Sequence, residues 1–77
     1  MEKLYRTTDF DFSTLLYYEK KKLKNLEGPP NRRVFVFVDD GTIDELRLKY
    51  INRELLVDPQ GLWNATKAIK TLIHGNL

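Results

Sequence analysis

The chain has 77 residues, with 13 Lys and Arg against 11 Asp and Glu, no cysteine and one histidine, His74. That length holds one domain, read as residues 1–77, and the composition excludes disulfides, thiolate zinc sites and multi-histidine metal sites. The chain is 42% hydrophobic with nine aromatics, too apolar for disorder, and its longest apolar run, Val34 to Val38, is far too short to cross a bilayer. So small a domain buries only about 60% of the surface its unfolded chain exposes, which makes a second copy a natural source of extra burial. Residues 1–6 lack the apolar core of a signal peptide, so a cytoplasmic protein is expected.

Leu4 to Thr7 can form a short extra strand. Thr8-Asp9 reads as a helix start, with Asp9 and Asp11 suited to the positive end of the helix dipole. Phe12, Leu15 and Leu16 then share one helical face, predicting a helix from about 9 to 21. Leu23 to Glu27 is a weak strand pattern. Gly28-Pro29-Pro30-Asn31 breaks it, because proline lacks a backbone donor and glycine admits positive φ. Val34-Phe35-Val36-Phe37-Val38 is the clearest strand, and the loop joins it to residues 23–27 as a hairpin spanning about 23–38. Val34, Val36 and Val38 point one way, Phe35 and Phe37 the other. Both faces are apolar, so this strand should be central and covered on both sides, by helices or by another subunit.

Asp39-Asp40-Gly41 is a turn, and Thr42 to Glu45 fits a capping box. Ile43, Leu46, Tyr50 and Ile51 give a helix from about 43 to 53 with those four residues on its buried face. Leu55-Leu56-Val57 is a short extended link. Asp58-Pro59 starts the last helix, about 59–74, with Leu62, Ala65, Ile69, Leu72 and Ile73 as its apolar stripe and Gly75 as its C-cap. The expected fold class is α+β: a small antiparallel sheet packed by three helices.

Four stretches carry a resemblance. They are Tyr-Arg-Thr-Thr-Asp at 5–9, Phe-Val-Phe at 35–37 leading to acidic residues, Tyr-Ile-Asn at 50–52, and Ala-Ile-Lys at 68–70. Together they cover most of the chain, and on them it resembles the domain of unknown function 5659 family of small bacterial, archaeal and phage proteins. One departure is the Lys20–Lys22 run, where such proteins tend to have a glycine after the first helix. The family has no established activity, so the resemblance implies the architecture and a bacterial or phage setting, and no reaction.

Little in the residues points to chemistry. Asp39, Asp40, Asp44, Glu45 and Asp58 could hold a divalent ion only if they converged, and turns and helix starts explain each one. His74 suits the negative end of a helix dipole. Ser13 is the only serine and has no recognisable base beside it. Gly61 weakens the first turn of the last helix, and a close approach by another backbone would account for it. No catalytic residue, cofactor, metal or small-molecule substrate is read from the sequence.

Charge distribution is more informative. Residues 19–33 carry Lys20, Lys21, Lys22, Lys24, Arg32 and Arg33 against Glu19 and Glu27, a local excess of four positive charges. The hairpin is expected to bring Lys24 towards Arg32 and Arg33, with Tyr17 and Tyr18 just upstream. Cations beside aromatics can neutralise phosphates and stack on bases, so DNA or RNA is one expected partner. A solvated surface that keeps a small protein soluble explains the same residues. Trp63, Lys67 and Lys70 form a second, weaker patch. The link between the last two helices is too apolar for a tight helix-turn-helix turn. The alternative to nucleic-acid binding is a protein-interaction or self-assembly module, a homodimer of a phage or mobile-element system, with Trp63, Phe35 and Phe37 as interface residues.

Overall fold

A computed structural model describes residues 2–29 and 31–74. Its elements are β1 (Leu4–Thr7), α1 (Phe10–Tyr18), β2 (Leu23–Glu27), β3 (Val34–Val38), α2 (Ile43–Ile51) and α3 (Pro59–His74). The strands form one antiparallel sheet in the order β1-β3-β2, and the fold is a small α+β fold. Pro30 and the expected C-cap Gly75 lie outside the described residues.

β3 is central, as its two apolar faces demand. Tyr5 and Leu23 flank Phe37 across the sheet, and Thr7 and Leu26 flank Phe35. On this face Phe35 and Phe37 are 3% and 0% exposed and pack with Phe12, Leu15 and Leu16 of α1, Ile43 of α2 and Ile69 of α3. Full burial of such a phenylalanine contributes about 1.5–3 kcal/mol, so this layer dominates the stability of the domain.

The valine face is covered differently. All three helices contribute to the core on the phenylalanine side, and the molecule measures 33 × 33 × 18 Å, the thickness of one sheet and one helix layer. Over the other face Arg6 of β1 reaches across β3 to Glu27 of β2 at 3.2 Å. Lys24 pairs with Glu2 on the same margin and holds its carboxyl below the usual carboxylate range. These pairs span the sheet on the valine side, and Val36 is only 1% exposed. The second cover expected from the sequence is therefore a roof of charged side chains.

Helix starts follow the sequence closely. Asp9 caps α1, its Oδ1 accepting from the Phe12 amide at 3.1 Å. Asp58 caps α3, its Oδ2 accepting from the Gly61 amide at 2.8 Å. The capping box at Thr42 does not form. The Thr42 hydroxyl instead donates to Asp40 Oδ1 at 2.6 Å and accepts from Lys21 Nζ at 2.6 Å, so a turn residue and a distant lysine claim the oxygen first.

Helix ends depart from expectation. α1 stops at Tyr18, short of Lys21, and α2 stops at Ile51, short of Arg53. Lys20 and Arg53 adopt left-handed backbone, with φ of 67° and 57°. In α1 the Lys20 amide bonds the Tyr17 carbonyl and the Lys21 amide bonds the Leu16 carbonyl, at 3.0 and 2.9 Å; Arg53 and Glu54 repeat this pattern on Tyr50 and Lys49. Both ends are thus closed by the two-bond motif that usually takes glycine. Ile51 also misses the buried face and is 59% exposed, because Ile43, Leu46 and Tyr50 set the core-facing side and Ile51 lies a further 100° around.

Candidate nucleic-acid interface

The basic segment 20–33 does not form one patch. Glu27 pairs with Val34, so residues 28–33 make a loop at one end of the hairpin, while Lys24 sits in a bulge opposite Phe37 and Val36. Lys24 lies four residues before Gly28, roughly 13 Å from that loop at the usual rise. Lys24 is therefore not brought beside Arg32 and Arg33. The hairpin register, fixed by which residues pack on the core, decides this.

Internal partners reduce the segment further. Lys21 donates to Asp40 Oδ2 at 3.0 Å as well as to Thr42. The Thr42 hydroxyl and amide, and then Lys21, hold the Asp40 carboxyl well below the usual carboxylate range. Lys24 is engaged by Glu2, and Arg33 donates to the Gly28 carbonyl at 3.0 Å. Lys20, Lys22, Arg32 and Arg33 have no ion pair among the described residues, and the two arginines are at the far end of the hairpin.

The two tyrosines divide in the same way. Tyr18 is half-buried. Its hydroxyl accepts from the Asp58 amide at 2.9 Å, and a Cβ at Gly61 would lie 2.9 Å from its ring Cε1. The close approach that Gly61 permits is therefore to an aromatic side chain and not to backbone. Tyr18 ties α1 to the start of α3 and lines the recess that Tyr17 and Lys20 also border. Tyr17 is 37% exposed and borders two surface recesses.

Those recesses join the end of α1 to α3. Lys20 shares one with Gly61, Asn64 and Ala65, where Glu19 is the single carboxylate. Lys22 shares the other with Tyr17, Leu23 and Leu72, and no acid lines it. Around α3 from there lie Trp63, Lys67, Lys70 and His74, all exposed and spaced to form one stripe. Trp63 is 69% exposed. α3 contains no Asp or Glu, so its two lysines equal the net charge of the whole chain, +2, and residues 1–58 balance to zero. The sequence offered Trp63, Lys67 and Lys70 as a minor patch. The acid-free composition of α3 was the stronger signal, and the position of Lys20 and Lys22 beside it needed the fold.

The other candidates have structural partners. Phe35 and Phe37 are in the core of their own chain and have no surface to offer an interface. Asp39 Oδ1 accepts from the Gly41 amide at 2.9 Å and faces Lys3 at 3.6 Å. Ser13, fully buried, donates to the Asp9 carbonyl at 2.8 Å. Among the described residues no three His, Asp or Glu side chains gather as a metal site, and no helix is long and apolar enough to cross a membrane. No family model matches the chain, and no curated protein or solved structure matches it.

Proposed function

We propose that this protein is a non-enzymatic module that holds nucleic acid against the end of α1 and the outer side of α3. The reading rests on one observation: cations that the fold leaves without acid partners, Lys20, Lys22, Lys67 and Lys70, lie along adjoining elements with two exposed aromatics, Tyr17 and Trp63. Lysines neutralise phosphates, and flat aromatic rings in water offer stacking faces to unpaired bases. In this reading Lys21, Lys24 and Arg33 are structural, and Arg32 is peripheral.

A polarisation titration with labelled single-stranded and duplex oligonucleotides, at two salt concentrations, tests it. Binding in the micromolar range should weaken steeply with salt, and single strands should bind better than duplex. Lys67→Gln with Lys70→Gln should weaken binding by roughly tenfold and flatten the log–log salt slope by about 1.4. Arg32→Gln with Arg33→Gln should leave both nearly unchanged. Absence of salt-sensitive binding at micromolar protein refutes the proposal.

A further inference from the structure

Between the end of α1, strand β2 and the last turn of α3 lies a recess of about 410 Å³, within the roughly 300–1,000 Å³ of small-molecule sites. Leu23, Leu26 and Leu72, all half-buried, give it apolar walls, and the partly exposed Tyr17 lines it as well. Three lysines line it too, and among the described residues no carboxylate does. Lys21 is held by Asp40 and Lys24 by Glu2, so Lys22 is the cation left for a partner. β2 is an edge strand, and its outer backbone groups have no strand partner among the described residues.

We infer that this recess holds one unpaired nucleobase, with the phosphate of that nucleotide on Lys22, a site that rests on the nucleic-acid reading above. Apolar walls and a tyrosine suit the face of a base, which stacks without regard to sequence. The free amides and carbonyls of the β2 edge suit its polar edge, where donors and acceptors lie side by side. A cationic rim without acids suits the phosphate. The recess around Gly61 lacks that last feature, since Glu19 lines it beside Lys20. An added peptide strand would also use the β2 edge. The bulge between Leu23 and Asn25, with lysines at 22 and 24, blunts that edge against a flat strand.

Polarisation titrations of the full chain with two labelled single strands of equal length test it. One carries thymine at every position; the other is abasic, with the same phosphates and no bases. The base-bearing strand should bind about tenfold tighter, with the same log–log salt slope. Tyr17→Ala and Leu72→Ala change no charge, and Leu72 lies outside the core cluster. Each should cut that advantage by about threefold or more and leave the abasic affinity unchanged. Amide exchange within residues 23–26 should slow with the base-bearing strand and not with the abasic one. Equal affinity of the two strands overturns the inference and leaves phosphate binding by this face intact. A base preference indifferent to Leu72→Ala also overturns it, since the base then sits elsewhere. Slow exchange within residues 23–26 in concentrated protein without oligonucleotide assigns the edge to strand pairing between copies and overturns it as well. Salt-sensitive binding by neither strand refutes the nucleic-acid reading together with this one.

Discussion

Single residues in unusual settings give the sharpest tests. Lys20 occupies left-handed backbone, where a side chain costs roughly 1 kcal/mol relative to glycine. Lys20→Gly should therefore raise the stability of the chain by about 0.5–1 kcal/mol in urea unfolding, although it removes a side chain from the end of α1. A loss of stability would show that the Lys20 side chain makes contacts that outweigh its backbone strain. The same variant should weaken nucleic-acid binding, which separates its fold role from its surface role. Gly61 predicts the opposite pattern. Alanine in a helix normally stabilises by about 1 kcal/mol over glycine. Here its Cβ would press on a Tyr18 ring whose hydroxyl is held by the Asp58 amide. Overpacking of this kind costs about 1–3 kcal/mol, so Gly61→Ala should be net destabilising by about 1 kcal/mol. In a Tyr18→Ala background the sign should reverse, and a double-mutant cycle reads the coupling directly.

Among the elements, the turn from β3 into α2 concentrates polar contacts. The lowered Asp40 carboxyl means that the unfolded chain binds more protons than the folded one at acid pH. The contribution is fully present above the ordinary carboxylate value of about 4 and is lost as pH falls below it. Thr42→Val removes the largest cause of that lowering, together with a contact to Lys21. Thermal melts from neutral to strongly acid pH should show a smaller acid loss for Thr42→Val than for the parent chain. Equal losses would mean that the Thr42 hydroxyl does not carry the lowering. Most elements were legible in the sequence, because Asp9 and Asp58 cap locally and Val34 to Val38 alternates locally. The helix ends were not. Nothing near Lys20 or Arg53 marks a lysine or arginine for left-handed backbone, a conformation that glycine adopts more cheaply. The unformed capping box failed for a related reason: the competing donor, Lys21, is 21 residues away from Thr42.

At the scale of the molecule, one layer of helices covers one face of the sheet, and ion pairs roof the other. Arg6→Ala should expose Val36 and its neighbours and leave Glu27 unpaired. An exposed pair contributes little, so the stability loss should stay near 1 kcal/mol or below. Increased dye binding or aggregation should be the larger effect, because the valine face loses its cover. The candidate site was only partly readable from sequence. Six cations between residues 20 and 33 suggested one basic patch, yet Asp40 and Glu2, distant in sequence, neutralise two of them, and the hairpin separates the rest. α3 shows the converse, since a stretch with only two lysines is a basic surface because no acid accompanies it. Backbone amide NMR during titration with a single-stranded oligonucleotide tests this account most directly. It predicts shifts concentrated at Tyr17, Lys20, Lys22, Asn64, Lys67 and Lys70, with residues 31–33 unmoved. Shifts confined to residues 31–33, or none at saturating oligonucleotide, would contradict it.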